Sequence, residues 1–319
     1  MKNHISLFIF AIALLSGPVS ANDLSMTAVK DTLASIPGEH NYIYVRTPLG
    51  EDEEKNYDEI TFYDGLGREL DFAQSYGADR AGAIMAHHHL IEYDSLGRKE
   101  KQWLSTNTSF SYMSPEDLKG GVLWDYHDAG KRSYLQTNYE SSPLNRITEQ
   151  YGVGDAWGDH PARMEYLTNI PADSLRCSFY FIDDNDSLIR RGDYRSGELQ
   201  VTKATDEDGK PTYTFVDKQG RTLLTRLGRG NQQADTYFVF DRFGRIRYVL
   251  PPMINDEISA GNLDLYAYQY LYDSFGRCIS KKLPGCAAIG YVYDKADRVI
   301  LSQNGNQSQK KEWTFTFYD

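Results

Sequence analysis

The chain has 319 residues, 40% apolar and 25% charged, which is room for one large domain or two and the composition of a folded protein rather than a disordered one. With 34 Lys plus Arg against 45 Asp plus Glu, its net charge of −11 repels phosphate backbones and anionic lipid, so nucleic acid is excluded as a partner. The 24 Tyr outnumber the 14 Phe and 4 Trp combined, a bias toward pleated, half-exposed surfaces and hence toward β structure.

Residues 1–21 open with Lys2 and His4, run through the apolar stretch ISLFIFAIALL (5–15) and close on Pro18-Val19-Ser20-Ala21. That is the pattern of a secretory signal peptide. Its apolar stretch of 11 residues is well short of the ~20 that span a bilayer, and no later segment is longer, so no transmembrane segment is expected. The expected location is secreted: periplasmic, extracellular or at the cell surface. In the N-terminal segment that follows (22–56), residues 23–36 read as a short helix ended before Pro37-Gly38.

From there a six-residue unit recurs: YDGLGR (63–68), YDSLGR (93–98), FDRFGR (240–245), YDSFGR (272–277) and YDKADR (293–298), with a looser copy in FVDKQGR (215–221). The sequence ends at Tyr318-Asp319, the opening dipeptide of another. From Asp217 onward, successive copies lie 21 to 32 residues apart, a period that fits one two-stranded hairpin per repeat. The carboxylates of Asp64, Asp94, Asp217, Asp241, Asp273 and Asp294 are placed to cap the turns they open. Three residues on, Gly67, Gly97, Gly220, Gly244 and Gly276 supply the positive φ of a turn closed by a bulge. Asp297 takes that place in the last copy, one of the few residue types that tolerate it. Arg68, Arg98, Arg221, Arg245, Arg277 and Arg298 end the units.

Around the turns side chains alternate with period two, as in Tyr266, Tyr268, Tyr270 and Tyr272, in Trp313, Phe315 and Phe317, and in Ile246, Tyr248 and Leu250. The expected fold is all-β: serial antiparallel hairpins forming a curved, partly open sheet. Helix signals are few. Ser114-Pro115-Glu116-Asp117 opens a short helix expected to stop at Gly120-Gly121, and nothing beyond it has a 3.6-residue period. Three cysteines, Cys177, Cys278 and Cys286, are too few for a disulfide framework, and all three are expected to be unpaired.

Candidate sites are sparse. His87 and His89 share one strand face and could ligate Zn²⁺ if Glu92, Asp94 or His127 came close. Arg191-Gly192-Asp193 spells an integrin-binding tripeptide, weak as three residues. The Asp and Arg of each repeat could pass for acid/base pairs, but recurrence in every unit is what architecture needs and catalysis does not. Neither GxSxG nor HExxH occurs.

The YDxxGR unit at these spacings resembles the RHS (YD-repeat) family of bacterial secreted and surface proteins, from about residue 57 to 319. SPLNRITEQ (142–150), VTKATDEDGK (201–210), ADTYFVFDRFGRIRYVLPP (234–252) and YDKADRVILSQNGNQ (293–307) look like the amino-terminal module of long Bacteroides-type RHS proteins. The resemblance implies an RHS-associated module over 57–205, YD-repeat hairpins over 206–319 ending mid-repeat, and a role as part of a β-shell around a carboxy-terminal cargo, often a toxin released by self-cleavage. The chain departs from that pattern in having no Asp-Pro dipeptide, so the shell-closing element is missing, and no cargo domain follows. What remains is a non-enzymatic structural or docking protein without a cofactor. Its expected partner is a protein, the remaining shell or its cargo, or a second copy through the edge strand at Trp313 to Tyr318. The alternatives are a glycan-binding module using exposed Tyr and Trp, and a His-centred metalloenzyme.

Overall fold

The computed structural model describes residues 36, 40–48, 56–78, 84–228, 233–254 and 256–319. The signal peptide (1–21) and, Ile36 apart, the helix expected over 23–36 lie outside them. The described chain is predominantly antiparallel β with three short α-helices. It divides between Pro161 and Ala162 into two compact units, a division that falls inside the 57–205 stretch.

In the first unit β1 (Asn41–Pro48), β2 (Asn56–Tyr63), β3 (Glu69–Ala78) and β4 (Ile84–Tyr93) form a meander. The other edge of β4 is shared by two short strands: β5 (Lys99–Trp103) pairs with residues 91–93 and β6 (Thr106–Ser109) with residues 85–88. β7 (Tyr134–Tyr139) pairs with β5, and β8 (Ile147–Tyr151) with β7. Alternation sets the faces, so that Ile60, Phe62, Ala73, Ile84 and Ala86 meet in one core with Phe110.

The helix α1 (Pro115–Asp125) starts where the sequence places it, with the Ser114 hydroxyl accepting from Asp117 N at 3.2 Å. It does not stop at Gly120-Gly121 but runs through both. Leu118 and Val122, each 1% exposed, anchor it. A Cβ on Gly121 would meet Thr106 Oγ1 at 2.6 Å, so this glycine permits close approach to β6 rather than ending the helix. Thr106 cannot easily give way, because its hydroxyl donates to Asp125 Oδ2 at 2.7 Å. Gly121→Ala is therefore expected to destabilise by about 1–3 kcal/mol. Gly120→Ala, with nothing within 4 Å of its Cβ position, should instead stabilise by up to about 1 kcal/mol. Urea unfolding of the two variants measures both signs.

In the second unit β9 (Ala162–Thr168) pairs with β12 (Gln200–Thr205), and the hairpin of β10 (Ser178–Ile182) and β11 (Leu188–Asp193) is paired separately. From β12 the sheet proceeds strand by strand through β13 (Pro211–Val216), β14 (Thr222–Leu227), β15 (Ala234–Phe240) and β16 (Ile246–Leu250). It continues through β17 (Tyr268–Tyr272), β18 (Cys278–Lys282), β19 (Ile289–Tyr293), β20 (Val299–Gln303) and β21 (Thr314–Phe315). Tyr180 of β10 packs edge-on against Tyr237 of β15 at 4.9 Å, over a core that includes Leu199, Val201, Phe215, Leu224 and Val239.

Two helices interrupt this sheet where only strands and turns were expected. The helix α2 (Ala260–Tyr266) begins at a Ser259 cap, so Tyr266 is helical and the tyrosine ladder starts at Tyr268. The helix α3 (Gly305–Lys310) begins at a capping box of Asn304 and Gln307. The expected strand of Trp313, Phe315 and Phe317 shrinks to the two residues of β21. From Tyr268 to Asp319 no residue is buried. The core of the second unit thus lies under its earlier strands, and β17 to β21 form a layer with both faces part-exposed. The three cysteines are free, Cys177 buried and Cys286 exposed.

Candidate functional site: a ladder of Asp, Arg and Tyr

Each repeat folds as a hairpin turn with nearly constant geometry. Oδ1 of Asp64, Asp94, Asp217, Asp241, Asp273 and Asp294 accepts from the backbone N–H two residues on at 2.8–2.9 Å. It also accepts from the N–H of the motif arginine at 2.9 Å. Oδ2 receives that arginine's Nε–H at 2.7–2.8 Å. Gly67, Gly97, Gly220, Gly244 and Gly276 have φ of 76° to 87°, and Asp297 takes 60° in their place. A register shift falls at each turn, as at Phe62/Tyr63 and Leu271/Tyr272, so the extra residue is absorbed as a bulge.

The arginine does more than close its own turn. In the first unit the Arg68 guanidinium lies 4.5 Å over the ring of Tyr93 in the next repeat, and the Tyr93 hydroxyl donates back to Glu69 O at 2.8 Å. In the second unit Arg245 stands over Tyr272 at 4.7 Å, Arg277 over Tyr293 at 5.0 Å and Arg298 over Tyr318 at 4.9 Å. The three hydroxyls donate to Ile246 O, Cys278 O and Val299 O at 2.8–2.9 Å. Arg221 over Phe240 at 5.1 Å keeps the stacking but lacks the hydroxyl. Tyrosine is thus the residue by which one hairpin grips the previous one, through cation–π contact on its face and a hydrogen bond at its tip. Five of the 24 tyrosines, Tyr93, Tyr139, Tyr272, Tyr293 and Tyr318, serve in this way.

Several members of this system are hidden in the sequence. Tyr139-Glu140 and Arg146 form a stretched copy: Arg98 lies 4.7 Å over Tyr139, whose hydroxyl donates to Lys99 O at 3.0 Å, and Arg146 Nε donates to Glu140 Oε1 at 2.7 Å. Asp183 and Asp206 open the same turn, with Asp186 at φ 64° and Gly209 at φ 78° in the bulge position. A search for acid-x(2–5)-Gly/Asn/Asp ending in a polar residue would have found all three.

At Asp64 and Asp294 the backbone N–H of Arg68 and Arg298 holds the carboxyl below its ordinary 3.8. At Asp94, Asp217, Asp241 and Asp273 burial pushes upward, and the arginine's backbone and side-chain donors outweigh it. The Arg146 side chain brings Glu140 down to about 2. These folded-state values lie below the unfolded ones, so the stabilisation is complete above the unfolded values and is lost as pH falls through the folded ones. Stability is therefore expected to fall steeply below about pH 4. Urea midpoints measured from pH 7 to pH 2 check it, with Asp241→Asn expected to flatten the acid limb.

The histidines are placed apart from this ladder. His87 stacks on Tyr76 at 4.4 Å and His89 lies 6.3 Å from Phe72. Glu92 is taken by Lys119 and, at 3.0 Å, by Trp103 Nε1. Asp94 is held by Arg98, and His127 is 77% exposed beside Asp128. Among the described residues no three His, Cys, Asp or Glu side chains are grouped to hold a metal ion. The buried histidine is His88, with Nδ1 2.6 Å from Asp71 Oδ2 and Nε2 2.9 Å from Ser109 O. Because Nε2 is committed to a backbone carbonyl rather than a hydroxyl, this pair activates no nucleophile. In Arg191-Gly192-Asp193 the aspartate lies only 27% exposed beside Arg190 and Arg176. Sequence reading also passed over Asp58, fully buried under Tyr44 and Arg46 at 2.6 and 2.7 Å.

Comparison with known proteins bears on the fold. Residues 41–168 match the family described as Domain of unknown function (DUF6443). No curated protein matches the sequence. Among solved structures, TcdB2-TccC3 matches at a TM-score of 0.52 and 13% identity over 88% of this chain. TcdB2-TccC3-Cdc42 and TcdB2-TccC3-TEV match at TM-scores of 0.52 and 0.51, with 14% and 13% identity, each over 83% of it. The likeness shows the fold. The chain is a predominantly antiparallel β-sheet protein whose fold is similar to part of those structures, and it spans only 12 to 14% of their length. No described helix is long and apolar enough to cross a membrane.

Proposed function

We infer that this chain is a secreted, non-enzymatic structural protein, a segment of an RHS-type wall that joins further hairpins at its β21 end. The ladder at that end carries the inference. Tyr318 already sits under Arg298 with its hydroxyl on Val299 O, the same seat that Tyr272 and Tyr293 occupy between complete hairpins. Beside it Trp313, Phe315 and Phe317 are 46%, 52% and 87% exposed. Among the described residues β21 pairs with β20 alone, which leaves strand-pairing groups and an apolar row together at one edge. The carboxylates of the repeats are consumed by their own turns, which supports a structural role. The solved neighbours are composite by name, TcdB2 with TccC3, and assembly with another polypeptide is the reading extended here.

In the isolated protein the occupant of the edge is a second copy. Light scattering on residues 22–319 should show mass rising with concentration, and deletion of 311–319 should reduce the rise while circular dichroism keeps its β signal. A full chain that remains monomeric at high concentration contradicts the reading.

A further inference from the structure

The second unit contains a cavity of about 300 Å³ between β10, the residue Tyr194 that follows β11, and the ends of β14 and β15 with the turn at Asp241-Arg242. That is the lower end of the ~300–1,000 Å³ usual for small-molecule sites. Five consecutive residues, Ser178 to Ile182, line it, so it follows the edge of β10 rather than one face. Among the described residues that strand pairs with β11 alone. The apolar part of the wall is open to a guest, because Phe179, Phe181, Ile182 and Phe240 are all part-exposed. Phe179 stacks on Phe181 at 5.5 Å and meets the Tyr194 ring edge-on at 4.8 Å, which holds three rings together beside the cavity.

Three charged side chains line the cavity, and two of them are matched. Asp241, 7% exposed, accepts from Phe243 N and Arg245 N at Oδ1 and from the Arg245 guanidinium at Oδ2. Arg221 is paired with Asp217 through Nε and Nη2, both at 2.7 Å. The third, Arg242, is exposed and forms no ion pair or hydrogen bond among the described residues; its guanidinium lies 4.9 Å over the ring of Phe243. Asp183 and Asp184, which follow Ile182, are outside the lining, and Asp183 spends its carboxylate on Asn185 N and Ser187 N. The wall therefore carries one unmatched positive charge.

The side-chain hydrogen-bonding capacity left over is on the donor side. The Tyr180 hydroxyl is used on Asp256, the Tyr237 hydroxyl accepts from Ser178 N at 3.3 Å and lies 3.4 Å from Asp235 Oδ2, and Ser178 Oγ accepts from Arg190 Nη2 at 3.1 Å. What remains is the Arg242 guanidinium, Nη1 of Arg221 and the Tyr194 hydroxyl, none of which makes a hydrogen bond among the described residues. Burial raises the Tyr194 phenol above its ordinary 10.0, which keeps it a donor at neutral pH. A fitting guest has a flat apolar body to lie against the phenylalanine rings and a single negative charge, and a carboxylate matches the fork of a guanidinium. We propose that this cavity is a binding site for a small aromatic monocarboxylate. It goes beyond the wall function and does not depend on it.

Saturation-transfer NMR on residues 22–319 tests it with benzoate, phenylacetate, 3-phenylpropionate and indole-3-acetate. Phenylacetamide, phenethylamine and acetate serve as the neutral, cationic and ringless counterparts. At least one aromatic acid should bind with a Kd of about 1 mM or tighter, and the three counterparts more weakly. Arg242→Gln removes an exposed charge that no described residue pairs with, so it should weaken binding about tenfold at unchanged Tm. Tyr194→Phe, which removes only the hydroxyl, should weaken it about threefold. Lys218→Gln, at an exposed position outside the lining, should leave binding unchanged. The proposal is overturned if no aromatic acid binds, if a counterpart binds as tightly as the best acid, if Lys218→Gln weakens binding as much as Arg242→Gln, or if both cavity variants bind as the parent does.

Discussion

Arg226→Ala is expected to destabilise the second unit by about 3–5 kcal/mol. The guanidinium is 3% exposed and supports four acceptors, the two oxygens of Asp235 and the carbonyls of Ser174 and Arg176. Removing it leaves a carboxylate only 25% exposed without its counter-charge and two carbonyls without partners. The cost therefore arises from what is left behind, so the double substitution Arg226→Met with Asp235→Leu should recover a large part of it. Denaturant unfolding followed by the tyrosine signal measures both.

Asp241→Ala should cost about 2–3 kcal/mol. Its side chain is 7% exposed and accepts from Phe243 N, Arg245 N and Arg245 Nε, so two turn amides and a guanidinium lose their acceptor at once. Asp241→Asn keeps an oxygen for the amides and should lose roughly half as much. Because stacked hairpins behave as a quasi-one-dimensional array, hydrogen exchange should locate the loss of protection at β15 to β17 and leave β12 and β13 protected.

The turns were legible because a positive φ restricts the residue type to Gly, Asn or Asp and an acid at the turn's start has a direct backbone use. Both signals are local. The variant Tyr139-Glu140…Arg146 was missed because its loop is longer, although its end residues perform the same bonds. A Gly-Gly pair usually breaks a helix, so the sequence predicts a stop at Gly120-Gly121, and only the approach of Thr106 reveals why Gly121 is needed. The capping residues Ser259 and Asn304 were visible but unaccompanied by an apolar period, since neither α2 nor α3 contains a buried residue. His88 and Arg226 could not be recognised, because their partners Asp71 and Asp235 become neighbours only through strand register.

The central claim is that each motif arginine couples its hairpin to an aromatic ring of the next, tyrosine in all but the Arg221–Phe240 step, and a double-mutant cycle on Arg245 and Tyr272 tests it most directly. Arg245→Ala, Tyr272→Leu and the pair are unfolded in urea, with Arg245 and Tyr318, two repeats farther on, as the reference cycle. The predicted result is a coupling of about 1 kcal/mol between Arg245 and Tyr272 and additivity between Arg245 and Tyr318. Additivity within about 0.3 kcal/mol for both pairs would mean that the stacked rings and guanidiniums are merely adjacent, and the ladder would hold nothing together.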